Sequence, residues 1–163
     1  REFVCCQKEP HVLQKFIGLT KKIEYYMQPS DELIQDKTVF PFLVELMLYA
    51  AVFGACEVAQ NDSHVKDVAA ATPDASLLIK IGDGPRAGIV KHDGVFSAYK
   101  GDLGTEPDAI MDIKDLECAY GLFNGEVDAM ASLGVCDIRI TGMIPFVDNV
   151  NLFLDRLGTY LND

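Results

Sequence analysis

The chain has 163 residues, of which 49% are hydrophobic and 24% are charged, and its formal net charge is −11. This length fits one domain, or one domain with an extension, that builds its core without disulfides or metal. The acidic balance argues against nucleic-acid binding and against an anionic membrane partner, because both need clustered Lys and Arg, and no cluster exceeds the pair Lys21–Lys22.

The first forty residues contain one helical pattern. Val12, Phe16, Leu19 and Ile23 recur every three to four residues, which predicts a helix before the break at residues 27–29, and Ser30 is a candidate N-cap for a helical turn starting at residue 31. We predict a helical extension over residues 1–40 and a separate domain over 41–163.

The longest apolar stretch predicts a helix from Pro41 to about Ala59, because Pro suits a first helical turn. The segment is apolar on nearly all sides, so we expect it to be well buried. Glu45 and Glu57 interrupt it, which disfavours stable membrane insertion. A short helix is predicted over residues 64–70.

Strand patterns begin at Ser76. Ser76–Ile81, Ala87–His92 and Val95–Tyr99 are predicted strands, and a turn over residues 82–85 separates the first two. Asp93-Gly94 predicts a hairpin with a type I′ turn, in which both central residues take positive φ.

Alternating strands and short helices fill the remainder. Residues 108–113 and 136–140 alternate apolar and acidic or basic side chains, which is typical of a sheet with one face on a core. Helices are predicted over 115–123, 126–133 and 145–161, the last with an apolar stripe. The segregated order of helices and strands predicts an α+β fold.

Several motifs from Leu77 onward resemble the sterol carrier protein type-two family, and the resemblance is clear over residues 76–161. They are the strand and turn at 77–84, the hairpin at Asp93-Gly94, the strand Asp108-Ala109-Ile110-Met111-Asp112-Ile113, the helix end Phe123-Asn124-Gly125, the helix opening Gly125-Glu126-Val127-Asp128, and the final strand at 136–142. The chain departs from the family pattern at Ala129, where Pro is usual, and at Val135, where a basic residue is usual.

The resemblance implies a five-stranded, mostly antiparallel sheet covered on one face by helices, with an apolar tunnel between the two layers. Members bind fatty acids, acyl-CoA, sterols or other lipids without covalent chemistry. We predict lipid binding or transport in a tunnel lined by Ile79, Ile89, Phe96, Met111, Ile113, Leu122, Met130, Ile138, Ile140, Phe146, Val150, Phe153 and Leu157. A solid core of the same residues has the same composition, so both interpretations stay open. Lys80, Arg86 and Arg139 are the candidate cations for a lipid carboxylate or phosphate.

Catalytic, metal and cofactor signatures are not found in the sequence. Gly82, Gly84 and Gly88 form GxGxxxG, but a strand comes after them, whereas a dinucleotide site needs a helix N-terminus. His11, His64 and His92 have no ligand-spaced neighbours, and no GxSxG elbow occurs. We therefore predict a protein that is not an enzyme and uses no cofactor or metal; an enzyme with an unrecognised site is the least favoured alternative.

Two further expectations concern partners and compartment. If the apolar surface of the helix from Pro41 to Ala59 exceeds what one monomer can cover, the exposed remainder is an interface. A protein-interaction or dimerisation module, acting as a homodimer or as an accessory to an enzyme, is therefore the main alternative function. The five cysteines, Cys5, Cys6, Cys56, Cys118 and Cys136, are odd in number and lack CxxC spacing. Reduced thiols in the cytoplasm are the expectation.

Overall fold

The structure, a computed structural model, describes residues 36–124 and 137–162. Its elements are α1 (Val39–Asn61), α2 (Lys66–Ala71), β1 (Ala75–Ile81), β2 (Arg86–His92), β3 (Val95–Lys100), β4 (Ala109–Ile113), α3 (Leu116–Phe123), β5 (Ile138–Gly142) and α4 (Ile144–Asn162). The predicted helices before residue 36 and over 126–133, the Ser30 cap, Met130 and Cys136 lie outside the described residues.

Two compact units divide the chain, residues 1–40 and residues 41–163. Within the first unit the described residues are Asp36–Phe40, where the Asp36 carboxylate accepts hydrogen bonds from the backbone N–H groups of Thr38 and Val39 at the start of α1. The sheet and the remaining helices belong to the second unit.

The second unit contains one five-stranded sheet in the order β3-β2-β1-β4-β5. β1 and β4 are parallel, and the other neighbouring pairs are antiparallel. The predicted α+β fold with a mostly antiparallel five-stranded sheet is confirmed. β1 lies at the centre because the β2–β3 hairpin pairs along one of its edges and β4 returns to the other.

The two predicted turns between the first three strands are present. Asp93 and Gly94 take φ values of 50° and 80°, as a type I′ turn requires. A residue before β1 also stabilises this turn, because the Asp93 backbone N–H donates to the Asp74 carboxylate at 2.9 Å. β2 comes after the Gly82–Pro85 turn and pairs antiparallel with β1, so this glycine-rich segment is a hairpin connection.

The final strand is offset from its predicted position. It covers Ile138–Gly142 rather than 136–140, since pairing with β4 continues to Gly142 opposite Ala109. Gly142 has φ 89°, and a Cβ there would lie 2.1 Å from the Asp108 carbonyl oxygen. The close approach of the two strands therefore requires glycine at this position.

The strand register sorts the side chains onto two unlike faces. Leu77, Ile79 and Ile81 of β1 share a face with Ala109 and the other odd-numbered residues of β4, and these are mainly buried. Lys80 lies on the opposite face and pairs with Asp112 at 2.9 Å. One face of the sheet is therefore a core face, and helices cover it.

Helices α1 and α4 both pack on the apolar face of the sheet. The ring centroids of Phe153 of α4 and Phe96 of β3 are 5.4 Å apart in an edge-on arrangement. The Gln60 amide at the end of α1 donates to the Phe96 carbonyl oxygen at 3.1 Å. The helices also meet each other, because Gly54 of α1 lies against the side chain of Leu157.

The prediction that α1 is well buried is wrong. Its inner face is fully buried at Val44, Leu48 and Val52, but only 33% of its most apolar eighteen-residue window is buried. The sheet buries only the side of α1 that faces it, so Phe42 on the outward side remains 63% exposed. By length and composition alone α1 could cross a membrane, but a core helix of a soluble protein can have the same length and composition.

Candidate functional site

The strand residues predicted to line a tunnel lie on one face of the sheet. The register places Leu77 opposite Ile89, Ile79 opposite Met111, and Met111 opposite Ile140. The predicted strand residues on this face are Ile79, Ile89, Phe96, Met111, Ile113, Ile138 and Ile140. The sheet thus supplies a continuous apolar surface across all its strands.

The last helix, α4, packs its apolar side against this sheet face. Phe146 and Val150 have no solvent exposure, and Phe153 is 1% exposed. These positions recur at three to four residues, so one side of α4 carries all three. On the sheet side, Ile79, Ile89 and Phe96 expose at most 3% of their surface. This part of the layer is closely packed.

Among the other described members of the predicted set, Ile113 and Ile138 are buried, with 2% and 6% of their surface exposed, and four residues are half-buried. Met111 and Ile140 are cross-strand neighbours on β4 and β5, and Leu122 lies on α3, which contacts β4. Leu157 is half-buried against Gly54 of α1. The apolar layer is therefore buried over most of its area, and its half-buried positions on β4 and β5 are Met111 and Ile140.

A lysine within the apolar layer was missed by sequence reasoning. Lys91 is 5% exposed and lies beside Phe96 on β3, with its ammonium 5.5 Å from the ring centroid. The ammonium donates to the carbonyl oxygens of Ala69 at 2.8 Å, Ala70 at 3.3 Å and Thr72. It thereby satisfies the orphan carbonyls at the end of α2. Strand alternation placed position 91 inward, which was the available signal.

The candidate head-group cations are not gathered at the layer. Lys80 and Arg139 lie on the opposite sheet face, in register with Asp112. Arg86 pairs with Asp102 at 3.0 Å. Arg86 also borders a concave surface.

That surface is a groove of about 450 Å³ between the start of α1 and the ends of the first three strands, lined by Pro41, Phe42, Glu45, Tyr49, Gly84, Pro85, Arg86 and Gly101. It is open to solvent. The Tyr49 hydroxyl donates to the Glu45 carboxylate at 2.6 Å, and the Lys100 ammonium lies 5.0 Å from the Tyr49 ring centroid. The hydrogen bond to Glu45, with partial burial, raises the pKa of Tyr49 to about 12. Tyr49 is therefore a neutral donor, committed to Glu45.

A second polar cluster joins the end of α1 to α4. The Asp62 carboxylate accepts from Arg156 Nε at 2.5 Å, from the His64 backbone N–H at 2.7 Å and from the Tyr160 hydroxyl at 2.9 Å. These bonds, with the Arg156 contact the largest, hold the pKa of Asp62 far below its usual range. The sequence contains no local signal for this cluster, since Arg156 and Tyr160 lie 94 and 98 residues from Asp62.

Within the described ranges, one group of three potential metal ligands, Asp74, His92 and Asp93, has its ligand atoms within 4.8 Å of one another. All three residues are exposed, and His92 and Asp93 expose 81% and 87% of their side chains. Exposed ligands remain hydrated, so the group gives no support for a bound cation.

No protein-family model and no curated protein sequence matches the chain. Solved structures do. A UbiJ-SCP2 ubiquinone synthesis protein is similar with a TM-score of 0.50 and 12% identity, over 72% of this chain and 98% of that one. A crystal structure of sterol carrier protein 2 has a TM-score of 0.49 and 17% identity, over 69% of this chain and 96% of that one. The solution structure of sterol carrier protein domain 2 of Helicoverpa armigera has a TM-score of 0.47 and 16% identity, over 68% of this chain and 87% of that one. At these identities the likeness is one of fold: the chain has an SCP-2-like fold.

Proposed function

We propose that this SCP-2-like domain binds or transfers a hydrophobic ligand, such as a fatty acid, an acyl-CoA or a sterol-like lipid, without chemically changing it. The observation that carries the proposal is the single apolar face on which the strand residues lie, opposed by the apolar side of α4. A lipid site needs a large apolar surface with few polar groups, and this layer supplies one.

The ligand enters the layer at the half-buried side chains of Met111 and Ile140. The side chains between α4 and β3 are already packed together, so a ligand reaching them must displace core contacts. Each methylene that leaves water contributes about 0.8 kcal/mol, which allows tight binding without a specific polar contact. Met111 suits varied chains because its side chain is flexible and polarisable.

A carrier fits the polar groups of the layer better than an enzyme does. The Lys91 ammonium donates to three carbonyl oxygens, so its hydrogen-bonding capacity is used by the protein. It therefore serves neither as a nucleophile nor as a counter-ion for a lipid head group. Recognition then comes from apolar area and shape.

Ligand binding is tested by titrating delipidated protein with a fluorescent fatty acid and displacing it with oleate, an acyl-CoA and a sterol. Met111→Gln places an amide in the proposed site and weakens binding about tenfold, the equivalent of about 1.4 kcal/mol of lost apolar burial. Ile110→Gln is the matched control, because Ile110 is the adjacent half-buried residue on the opposite face of β4.

The proposal predicts saturable binding by the wild type, weaker binding by Met111→Gln, and binding by Ile110→Gln that equals that of the wild type. Equal effects of the two substitutions would place the ligand elsewhere, and no saturable binding by the folded wild type would reject the proposal. Circular dichroism of each variant establishes that it is folded.

A further inference from the structure

The outward side of α1 carries an uninterrupted apolar stripe. At 3.6 residues per turn, Val39, Phe42, Leu46, Ala50 and Phe53 fall within an arc of about 80°. All five are exposed, and Phe42, Leu46 and Phe53 expose 63%, 44% and 43% of their surface. We call these five residues the α1 stripe.

The α1 stripe differs from the outward side of the neighbouring helix. On α4 the exposed positions at the same spacing are Ile144, Asp148, Leu152, Asp155 and Thr159, so two apolar residues are separated there by polar ones. Both helices lie on the same sheet face, so packing on the sheet does not explain the apolar outer side of α1. A contiguous exposed apolar patch of this kind marks an interaction surface.

We propose that the α1 stripe is the interface of a homodimer, in which α1 packs antiparallel to α1 of a second copy about a two-fold axis at Leu46. This inference is independent of lipid binding. In this register Leu46 meets the partner's Leu46, and Phe42 meets the partner's Ala50. The large Phe42 side chain thus faces the small Ala50, which suits interdigitating helices. A parallel pair would set Phe42 against Phe42 and leave a gap at Ala50.

In the same arrangement a groove on the partner accepts the Phe53 side chain. Phe53 reaches the first turn of the partner's α1, where Pro41, Phe42 and Glu45 line the groove of about 450 Å³. An aromatic anchor in a preformed concavity is typical of the residues that dominate binding energy at interfaces.

The available area lies near the lower limit for a specific dimer. From their exposed fractions, the stripe residues supply about 400 Å² of apolar surface per protomer, and the groove rim brings the total near the ~1,000 Å² of a specific interface. The stripe is also free of charge: Glu45 lies on its flank and Glu57 one turn beyond Phe53. A charge-free patch is what two protomers of net charge −11 need in order to meet.

A lipid surface is the less suitable occupant. Helices that lie in a membrane interface carry Lys and Arg on their polar sides. α1 contains neither between Val39 and Asn61, and its charged residues are both glutamates. The stripe is complementary to itself and lacks the charges that attract phospholipid head groups.

The test is the mass of the full chain in solution, measured by light scattering and sedimentation. The wild type is expected at twice 17.9 kDa, and Leu46→Glu as a monomer, because the substitution opposes two carboxylates at the axis. Leu152→Glu is the matched control and should remain a dimer, since Leu152 has a similar exposure of 47% but lies on α4.

Charge exchange tests the antiparallel register. Phe42→Glu alone should dissociate the dimer, and Phe42→Glu combined with Ala50→Lys should restore it, because the two positions face each other only between antiparallel copies. A monomeric wild type, including one that floats with phosphatidylcholine vesicles, would overturn the proposal. So would a Leu46→Glu chain that stays dimeric.

Discussion

Arg156 on the last helix donates from Nε to the Asp62 carboxylate at 2.5 Å, across 94 residues of sequence. The Asp62 side chain is 4% exposed and accepts further bonds from His64 and Tyr160. The contact joins the end of α1 to the C-terminal half of α4, and so holds together the two helices that cover the apolar sheet face.

Asp62→Asn is expected to lower thermal stability by several degrees at pH 7, because it removes the charge to which Arg156 donates. The pKa of Asp62 is depressed in the folded state, so its stabilising contribution is full above about pH 4, the ordinary aspartate value, and declines as the pH falls below it. Melting curves of wild type and variant should therefore converge in acid.

Asp155→Asn provides the comparison for the Asp62 prediction, since Asp155 is an exposed carboxylate on the same helix as Arg156. At both pH 3 and pH 7 this variant should melt at nearly the same temperature as the wild type. A gap between wild type and Asp62→Asn that is the same at both pH values would contradict the assigned role of the charge.

Lys91→Met is expected to destabilise the fold by about 2 kcal/mol, because the substitution leaves the carbonyls at the end of α2 without their charged donor. Urea unfolding measures this change. Lys80→Met is the control: its pair with Asp112 is partly solvated on the opposite face, so the expected cost is about 0–1 kcal/mol. If both variants lose the same unfolding free energy, the buried contacts of Lys91 stabilise the fold no more than the partly solvated pair of Lys80 does.

Cys56 should resist alkylation in the folded protein. Burial, together with the nearby Glu57 charge, raises the pKa of this thiol to about 12, so almost no thiolate exists at pH 8. Mass-spectrometric mapping after iodoacetamide treatment should find Cys56 unmodified in buffer and modified in urea. Rapid native labelling of Cys56 would show that α1 does not stay packed on the sheet.

Tyr49 should titrate about two pH units above an ordinary tyrosine, near pH 12. Subtracting the ultraviolet titration of Tyr49→Phe from that of the wild type isolates this phenol. Glu45→Gln should bring its pKa back toward 10, because the carboxylate that accepts the hydrogen bond is the largest cause of the shift. A Tyr49 pKa that is unchanged by Glu45→Gln would assign the shift to burial instead.

The sequence was sufficient for features with local signals. Asp93-Gly94 predicted its turn because positive φ at both positions is a local requirement, and alternation over β4 placed Met111 inward and Asp112 outward. The shared apolar face was predictable from that alternation together with the family resemblance.

Features that depend on distant partners could not be predicted. The acceptors of Lys91 lie 19 to 22 residues away, and Arg156 lies 94 residues from Asp62. The exposure of α1 was mispredicted because an all-apolar helix has the same composition whether the sheet, a second copy or nothing covers its outer side. Whether the predicted site residues bind a ligand also depends on packing, since a filled layer and a tunnel use the same side chains.

Native mass spectrometry of the purified chain tests the central claim most directly. Lipid binding predicts, beside the protein mass of 17.9 kDa per chain, a lipid adduct that disappears on organic extraction and returns when a fatty acid or sterol is added. Met111→Gln should reduce the recovered adduct, and Ile110→Gln should not. A chain that is folded, that carries no adduct and acquires none from any of these lipids would contradict the account.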